Sequence, residues 1–476
     1  KSKMEDILKL FLFCSLIILS LSANADEWKK RAIYQLMTDR FATSGEEKPC
    51  NVSLNNYCGG DHKGIQNHLD YITEMGWDAI WISPIVKNAE GSYHSYHTVD
   101  FYDINEHFGT EDDIQNLIKA CKDKNVFVML DVVANHVALV GNDFSKINPF
   151  NSPEHYHESC TITDWTNYVM VENCRLCDLP DLKHENNYVT DELLRWIKYM
   201  VDKYHLDGLR VDTVPEVPKW FWKKFNKAAG IFQIGEVFNG NVEYVHSYQG
   251  PLTSTFNYPL YFTICDGYKY RDLTKLNDYF INTRPVYDGY ETVLGVFIGN
   301  HDNARFLYPP EGRTKEQLDM ASMFSVFWEG IPVIYYGDEQ YFNGGGDPYC
   351  REALWENGYN KESRLFQLYK IGLHYRKKIE LWDKNLDQLY SDKDVYAFRR
   401  GDDVLGVISL AENDNYSTTF DNKGVTDKQG IKAGKYCNIF VKEDCIEIAD
   451  GQQITISIGK APKVYIPESS IDEFTK

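Results

Sequence analysis

Short apolar runs alternate with longer amphipathic segments from residue 30 to about residue 385 of this 476-residue chain. The short runs are rich in β-branched and aromatic residues and end in polar or turn residues, which is typical of strands. The longer segments repeat their apolar residues with the helical period of about 3.6. Eight strands are predicted, at Ala32–Met37, Ala79–Ser83, Val126–Val132, Gly208–Asp212, Ile231–Glu236, Ser254–Tyr258, Val293–Gly299 and Pro332–Tyr336. Helices are predicted between them at Asp112–Lys124, Asp191–Tyr204, Val217–Ala229 and Lys315–Glu329.

Eight β/α units in a row favour a closed parallel barrel over an open sheet. A doubly wound sheet would place a glycine-rich phosphate turn after its first strand. The chain has Thr38-Asp39-Arg40-Phe41 there instead. The predicted fold class is therefore α/β, a (β/α)₈ TIM barrel with a small inserted domain after strand 3 and a C-terminal antiparallel β-sandwich domain.

Two segments depart from the barrel pattern. Residues 133–190 are rich in Asn, Pro, His and Cys and lack a helical period, and a loop of that length in a compact domain predicts an insertion. We expect barrel residues 26–135 and 183–385, an inserted calcium-binding domain at 136–182, and a β-sandwich at 386–476. The strands predicted for the last domain are Val395–Arg399, Val404–Ser409, Tyr416–Phe420, Cys437–Val441, Gln453–Ile458 and Lys463–Ile466.

The N-terminal residues 1–25 have the pattern of a secretory signal. A lysine-containing start precedes the apolar run Leu10–Leu21, and Ala23-Asn24-Ala25 then supplies small residues for cleavage. The alternative is a membrane anchor, but the run is short of the roughly 20 residues that span a bilayer. We expect a secreted protein, or one held in the lumen of a digestive vacuole or lysosome, with no membrane attachment after cleavage.

The net charge argues against anionic partners on physical grounds. The formal net charge is −20, so phosphate backbones and anionic lipid surfaces would be repelled, and neither nucleic acid nor membrane is an expected partner. Neutral and cationic substrates remain open. The chain also contains 33 Tyr and 10 Trp, whose rings suit either sugar faces or an ordinary core.

Three acidic residues follow apolar strands at equivalent places in the predicted barrel. Asp212, Glu236 and Asp302 stand at the ends of the fourth, fifth and seventh strands, where barrel enzymes place their chemistry. Any one of them alone would be explained as a helix cap or a structural ion pair. Two facing carboxyl groups, one a nucleophile and one an acid/base, suit glycosidic cleavage. Arg210 shares a strand face with Asp212 and would favour its ionised form, whereas Glu236 should carry a proton.

At these residues the chain resembles the α-amylases of glycoside hydrolase family 13, most of all the secreted fungal-type enzymes. Four signature segments carry the resemblance, and four further segments of the sequence also match the family. The signature segments are Asp131–His136, Gly208–Asp212, Gly235–Val237 and Asn300–Asp302; the further matches are Ile33–Phe41, Leu179–Leu182, Asn226–Gly230 and Gly346–Glu352.

The resemblance assigns roles to these positions. It makes Asp212 the nucleophile, Glu236 the general acid/base, and Asp302 the third acid, which grips sugar hydroxyls and keeps Glu236 protonated. Seven further residues are implied to bind substrate, at the cleavage site or one sugar toward the non-reducing end: Tyr96, His94, His136, Arg210, His301, Asp347 and Arg351.

The resemblance also implies a structural Ca²⁺ between the barrel and the insertion. Its implied ligands are the side chains of Asn135, Glu172 and Asp181 and the backbone carbonyl of Glu216, and oxygen ligands are what this cation prefers. Spacing alone would favour solvated loop residues at the first three positions.

The chain departs from the family pattern on the leaving-group side. Pro215-Glu216 replaces a frequent Lys-His pair, His97 replaces a frequent tryptophan, and Gly299 stands where fungal relatives usually have Glu. The lysine usually contacts the leaving-group sugar, so binding there is expected to differ.

The remaining predictions concern the cysteines and modification. Cys50–Cys58 and Cys160–Cys174 match family disulfides, and the spacing of Cys437 and Cys445 suggests a third disulfide that closes a hairpin. Zinc at Cys174-x-x-Cys177 is a weak alternative because no second such pair exists. That leaves Cys121, Cys177, Cys265 and Cys350 unpaired. Asn51 and Asn415 are glycosylation acceptors if the chain enters a eukaryotic secretory route.

We therefore expect an endo-acting, calcium-dependent α-amylase that cleaves internal α-1,4 bonds of starch, glycogen and malto-oligosaccharides with retention, as a monomer. Pro215-Glu216 motivates a second hypothesis, a maltogenic or transglycosylating relative. A third is a non-catalytic glycan-binding protein on the same scaffold, which the presence of all three acids argues against. Neither a redox nor a nucleotide cofactor is expected, and no chloride site, since residues 332–340 contain no Arg or Lys.

Overall fold

The computed structural model describes residues 24–410 and 416–472. Within them a sheet of eight parallel strands runs in the order β8-β7-β6-β5-β2-β1-β10-β9. A parallel bridge between Phe256 and Gly295 joins the two ends and closes the barrel. The predicted fold class is confirmed. The strands are β1 Ile33–Gln35, β2 Ala79–Ile82, β3 Val86–Asn88, β4 Thr98–Ile104, β5 Phe127–Val132, β6 Gly208–Val211, β7 Phe232–Gly235, β8 Ser254–Thr255, β9 Gly295–Val296 and β10 Ile331–Tyr335.

The barrel strands are buried on both faces, which is why their sequences are continuous apolar runs rather than alternating ones. Every residue of β1, β2, β6, β7 and β10 is buried. The strand predicted at Val293–Gly299 is only two residues long, β9, because just Gly295 and Val296 pair with β10; residues 297–303 form bends and turns that include Asn300–Asp302. Strands β3 and β4 form a separate hairpin above the barrel.

Most of the helices cover the outside of the barrel. Thr110 and Thr314 form capping boxes with Asp113 and Gln317, which fixes two helix starts to within one residue of the prediction. The helices are α1 Ala25–Trp28, α2 Thr38–Phe41, α3 His62–Asn67, α4 Leu69–Glu74, α5 Glu111–Asp123, α6 Tyr168–Asn173, α7 Asn187–Tyr204, α8 Lys219–Ala229, α9 Val242–His246, α10 Tyr258–Lys269, α11 Thr274–Tyr287, α12 Lys315–Phe327 and α13 Arg364–Lys378.

Residues 136–182 contain little regular structure, as expected for the insertion. Helix α6 and the Cys160–Cys174 disulfide surround a small core of Ile162, Val171 and Cys174. A bridge between His136 and Asp181 ties the two ends of the segment together. The segment therefore has a small core of its own, and it also packs on the barrel, since Phe144, Ile147, Phe150 and Tyr156 belong to the main core.

The C-terminal residues form antiparallel sheets with a second core. Two predictions there were incomplete: Leu386–Ser391 is an additional strand, and the run Cys437–Val441 is divided by the turn of a hairpin. The order β11-β12-β13-β18-β15-β16 makes one sheet, and β14 pairs with β17 in another. The strands are β11 Leu386–Ser391, β12 Val395–Arg400, β13 Val404–Ser409, β14 Tyr416–Asp421, β15 Gly434–Asn438, β16 Val441–Ile448, β17 Gln453–Ile458 and β18 Lys463–Pro467.

All three disulfide bonds predicted from the sequence are present: Cys50–Cys58, Cys160–Cys174 and Cys437–Cys445. The zinc alternative at Cys174-x-x-Cys177 is wrong for this arrangement, because the Cys174 sulfur is already bonded to Cys160. Cys121, Cys265 and Cys350 are buried thiols, and Cys177 is exposed.

Residues 1–23 of the predicted signal lie outside the described residues, so only Asn24 and Ala25 of the cleavage site are described. The acceptor Asn415 also lies outside them. Asn51 is exposed, and its side-chain oxygen accepts hydrogen bonds from Ser53. In residues 24–410 and 416–472, no helix combines the length and apolar character that crossing a bilayer requires.

Candidate active site

A cavity of about 790 Å³ opens at the carboxyl ends of the barrel strands. It brings together all the predicted catalytic and substrate-binding residues except Arg210, which lies beneath it. Parallel strands end at one edge of the sheet, so residues far apart in the sequence meet there. The predicted residues that line the cavity are His94, Tyr96, His136, Asp212, Glu236, His301, Asp302, Asp347 and Arg351.

Arg210 is the buried centre of the acidic cluster. One of its terminal nitrogens, Nη1, lies 2.6 Å from Asp212 Oδ1 and 2.9 Å from Asp131 Oδ1. The other, Nη2, lies 2.8 Å from Glu236 Oε2. The guanidinium therefore fixes Asp212 and Glu236 with respect to each other. It is the only cation in direct contact with either of them among the described ion pairs.

The three acids differ in protonation although they share one cavity. Burial raises the pKa of Glu236 to about 8, against the opposing charge of Arg210. Burial also raises the pKa of Asp212, to about 6, and Arg210 limits that rise. Burial opposes the ionisation of Asp302, but the guanidinium charges of Arg351 and Arg210 oppose that effect, and the pKa of Asp302 is lowered. Near neutral pH these three acids therefore hold one proton, on Glu236, and Asp212 and Asp302 are carboxylates.

Backbone and phenol groups position Glu236. The backbone N–H of Thr213 donates to Oε2 at 3.2 Å, and the hydroxyl of Tyr258 lies 3.4 Å from Oε1. Asn300 donates to that hydroxyl at 3.0 Å. The carboxyl group is thus held from both sides, with its orientation set by three different strand ends.

His301 and Tyr96 form one wall of the cavity. Their rings stack with centroids 5.3 Å apart. The Tyr96 hydroxyl donates to Asp131 at 2.8 Å, so it accepts from His301 Nε2 at 2.6 Å, while Gln35 donates to Nδ1 at 2.7 Å. This chain of hydrogen bonds requires a neutral imidazole with its proton on Nε2. Burial, which lowers the His301 pKa to about 3, agrees with that state.

Asp302 and Asp347 are joined through Arg351. The guanidinium donates to Asp302 Oδ1 at 3.2 Å, and its other terminal nitrogen lies 2.8 Å from Asp347 Oδ1. Its Nε donates to the His301 carbonyl at 2.9 Å. Both acids remain partly exposed to the cavity, with 36% and 50% of their side chains accessible. They are therefore available to accept hydrogen bonds from a ligand.

His94 and His136 complete the lining on the side of β4. His94 Nδ1 accepts the Tyr96 N–H at 3.1 Å, and burial lowers the pKa of His94 well below its usual value. His136 Nε2 lies 3.1 Å from the Tyr96 carbonyl, and its pKa is lowered to about 4 for the same reason. Both imidazoles are neutral near pH 7.

The residues assigned to calcium include a convergence of oxygens. The end of the Asn135 side chain lies 3.0 Å from Asp181 Oδ1 and 3.2 Å from the Glu216 carbonyl oxygen. With its amide oxygen on that side, three oxygens meet with no proton between them, which suits a hard cation. With its nitrogen there, the amide itself would donate to both partners. Glu172 lies on α6, which packs against the turn that carries Glu216.

No group of three or more His, Cys, Asp and Glu side chains in the described ranges is arranged to hold a metal ion. The convergence at Asn135 instead combines an amide, one carboxylate and one backbone carbonyl. Such oxygen donors suit calcium and not zinc.

Sequence comparison agrees with this geometry. Residues 35–400 match the family profile described as "Alpha amylase, catalytic domain". The chain belongs to the alpha-amylase family. It is 34% identical to an α-amylase of Saccharomycopsis fibuligera over 473 residues, which cover 93% of this chain and 92% of that protein.

Solved α-amylase structures share the fold along almost the whole chain. The α-amylase from Malbranchea cinnamomea superposes with a TM-score of 0.89 at 33% identity, covering 95% of this chain and 99% of that one. An α-amylase from Geobacillus thermoleovorans, solved with acarbose, gives 0.81 at 29% identity and covers 92% and 98%. The resemblance inferred from the motifs and the prediction of an α-amylase-type glycoside hydrolase are confirmed.

Several residues of the site were given no role from the sequence. Asp131 accepts from Trp81 at 3.0 Å and from Tyr96 and also pairs with Arg210, so it orients three side chains at once. Its place at the end of β5 was the available signal. Phe238 and Trp165 expose their rings at the cavity, and nothing in the local sequence distinguishes them from core aromatics.

Proposed function

We propose that this alpha-amylase family member is an endo-acting enzyme that hydrolyses internal α-1,4 bonds of starch, glycogen and malto-oligosaccharides with retention of configuration. The observation that carries the proposal is that the three acids of one cavity differ in protonation: Glu236 is a protonated carboxyl group beside the carboxylates of Asp212 and Asp302. A double displacement needs a proton donor and an ionised nucleophile in one cavity.

In the first step the Asp212 carboxylate attacks the anomeric carbon while the bond to the leaving oxygen breaks. Glu236 transfers its proton to that oxygen, and the leaving chain departs with a free hydroxyl. In the second step Glu236, now a carboxylate, takes a proton from water. The water oxygen attacks the same carbon, and the bond to Asp212 breaks. Two inversions return the starting configuration and both carboxyl groups to their initial states.

The surrounding residues serve this chemistry by position and charge. Arg210 stabilises the Asp212 carboxylate and the charge that Glu236 acquires after it gives up its proton. Asp302 and Asp347 would accept hydrogen bonds from sugar hydroxyls, and the neutral His94, His136 and His301 would contact the same sugar. The Tyr96 ring offers an apolar face for stacking.

Calcium is part of the proposal. Asn135, Asp181 and the carbonyl of Glu216 would hold the ion, with Glu172 on the adjacent helix, and their oxygen chemistry supports the assignment. When bound, the ion would supply a structural link between the insertion and the barrel. Secretion, or delivery to a digestive vacuole or lysosome, glycosylation at Asn51 and Asn415, and a monomeric state complete the proposal.

Proton NMR of the anomeric region during digestion of soluble amylose tests the reaction. We expect α-anomeric signals from mixed oligosaccharides to appear first, and Glu236→Gln to abolish them. Early β-anomeric signals would overturn the double displacement. Folded, calcium-loaded protein that binds the glucan without releasing reducing ends would instead favour the binding-protein hypothesis.

A second candidate is a maltogenic or transglycosylating enzyme. It is favoured by one observation, the replacement of Lys-His by Pro215-Glu216 beside the cavity. The same digestion separates the two, because an endo-acting hydrolase first releases mixed long oligosaccharides, whereas a maltogenic enzyme releases one short product throughout.

A further inference from the structure

A second cavity adjoins the catalytic one. It has a volume of about 730 Å³ and shares three lining residues with the catalytic cavity, Trp165, Asn239 and Tyr244. The two spaces therefore lie on either side of the same residues, two of which belong to the segment that follows Glu236. Because Glu236 is the proposed proton donor to the leaving group, this second space extends the site on the leaving-group side.

Exposed aromatic rings mark this space. In the described part of the chain, the two exposed tryptophans, Trp165 and Trp220, both border it, at 58% and 40% accessible. Tyr168 adds a third exposed ring at 58%. Large rings left in water at one place on a protein surface indicate a binding surface. We call the surface formed by Trp165, Tyr168, Trp220 and Tyr244 the aromatic groove.

The groove is supported from behind. Tyr168 stacks on Tyr244 with centroids 5.6 Å apart, and Tyr244 meets the edge of Tyr248 at the same distance. The Lys219 ammonium lies 4.4 Å from the centre of the Tyr248 ring and donates to Ser247 Oγ at 2.7 Å. The exposed ring of Tyr168 is thus backed by other side chains, which makes it a firm platform.

The polar groups of the groove suit a neutral, hydroxyl-rich ligand. Asn239 and Asn241 use their side-chain oxygens to accept backbone N–H groups at 2.8 and 2.9 Å, and their amide nitrogens are donors that a sugar hydroxyl can accept from. The carboxylates of Glu185 and Glu243 also line the space, as does Glu172, whose carboxylate is assigned to calcium in the proposed function. An anionic ligand would be repelled by these carboxylates and by the net charge of −20.

We infer that the aromatic groove binds the leaving-group portion of a long glucan chain, several sugars beyond the bond that is cleaved. This inference rests on the proposed function and specifies its substrate as long α-glucan rather than short oligosaccharide. The rings would stack on the apolar faces of successive sugars, and Asn239, Asn241, Glu185 and Glu243 would pair with hydroxyls. These rings would also bind sugars on the leaving-group side, where Pro215-Glu216 replaces the lysine that family members often have.

Two substrates distinguish the groove from the catalytic centre. Soluble amylose extends through the groove, whereas a nitrophenyl maltotrioside that releases nitrophenol places no sugar there. In the variant carrying both Tyr168→Ala and Trp220→Ala we expect kcat/KM on amylose to fall by about fivefold or more, as for loss of aromatic contact residues. On the maltotrioside we expect no change.

Matched variants control for folding and for general aromatic loss. Tyr168→Phe with Trp220→Phe keeps ring faces and should restore most of the activity on amylose. Tyr270→Ala removes a ring of similar exposure, 59%, outside the groove and should change neither substrate. Thermal unfolding of each variant confirms that it is folded.

Two results would overturn the inference: an unchanged kcat/KM on amylose in the double alanine variant, or equal fractional losses on both substrates. If the wild-type protein cleaves neither substrate, the proposed function itself fails. If the wild-type protein cleaves both substrates and the double alanine variant cleaves them equally well, the proposed function stands and only the role of the groove is rejected.

Discussion

At the scale of single residues, surroundings decide chemistry that residue type leaves open. Glu236 and Asp302 are both carboxylic acids of one cavity, yet the pKa of the first is raised to about 8 and the pKa of the second is lowered. The difference follows from their neighbours. Asp302 meets Arg351 and His301 in a half-open position, whereas Glu236 is buried with Arg210 shared among three acids.

The pH dependence of kcat/KM should be bell-shaped with its maximum between about pH 6 and pH 8. Below the lower value Asp212 gains a proton and loses its nucleophilic charge, since its pKa is raised to about 6. Above the upper value Glu236 loses the proton it must donate. Initial rates on amylose at low substrate concentration, taken across this range, measure both limbs.

Glu216→Gln is the matched control for the alkaline limb. Burial raises the Glu216 pKa to about 8 as well, so its titration would mimic that of Glu236. The limb should persist in Glu216→Gln. Its disappearance there would assign the titration to Glu216 and contradict the role given to Glu236.

Asp131→Asn should lower kcat on the maltotrioside by about ten- to a hundredfold, the range expected for one charge-assisted contact. The amide cannot accept from Trp81, Tyr96 and Arg210 together, so Arg210 would lose a charged partner and Tyr96 its anchor. Steady-state kinetics measures the effect. Asp338→Asn, which breaks another buried pair with Arg305, controls for folding; equal losses would deny Asp131 a particular role.

At the scale of elements, the insertion brings together what the barrel alone would leave apart. It supplies Asp181 to the convergence at Asn135 and Trp165 and Tyr168 to the aromatic groove. Its regular structure amounts to helix α6 and short turns, with a core of three residues. Its first half, including Phe144, Ile147 and Phe150, packs into the barrel core, whereas the part around α6 has only the three-residue core, so the position of that part should depend on its polar links to the barrel.

Removal of calcium should therefore loosen the insertion and lower the temperature of unfolding. A ligand that binds only the folded state at about 100 times its Kd stabilises by about 2.7 kcal/mol. Calorimetry with and without a chelator measures this, and added Ca²⁺ should restore the transition better than Mg²⁺ does. Asp181→Ala should unfold at the lower temperature in both conditions. An unfolding temperature insensitive to the chelator would contradict the calcium assignment.

At the scale of the whole molecule, two hydrophobic cores are held together by buried polar contacts. The barrel core continues onto Tyr396 and Phe398 of β12, while Val395, Ala397 and Leu405 face a second core inside the sandwich. Between them Arg400 donates to the carbonyls of Phe327 and Trp328 at 2.9 and 2.6 Å. It also donates to the carbonyls of Leu381 and Lys384.

Arg400→Met should reduce the free energy of unfolding by about 3 kcal/mol or more, because several buried carbonyls would lose their donor at once. Arg400→Lys keeps the charge but not the forked geometry, and should cost less. Denaturant unfolding followed by tryptophan fluorescence measures both variants. Equal stability of Arg400→Met and the wild type would show that the domain interface does not depend on this arginine.

The sequence by itself determined the barrel and the place of its acids. Short continuous apolar runs that alternate with helical segments indicate strands covered on both faces. The ends of parallel strands meet at one edge, so the pattern places Asp212, Glu236 and Asp302 in one site without any measured distance. The spacing of Cys437 and Cys445 likewise indicated a hairpin, although the strand limits around it were misplaced.

Only the tertiary structure decided how these residues act. The protonation of Glu236 depends on burial and on Arg210. Asp131, at the end of β5, contacts Trp81 of β2, Arg210 of β6 and the hydroxyl of Tyr96. The aromatic groove draws Trp165, Tyr168 and Trp220 from separate segments. Burial and Coulomb energy depend on distances in space, and the sequence pattern records only the period of each element and not which side chains of distant elements come into contact.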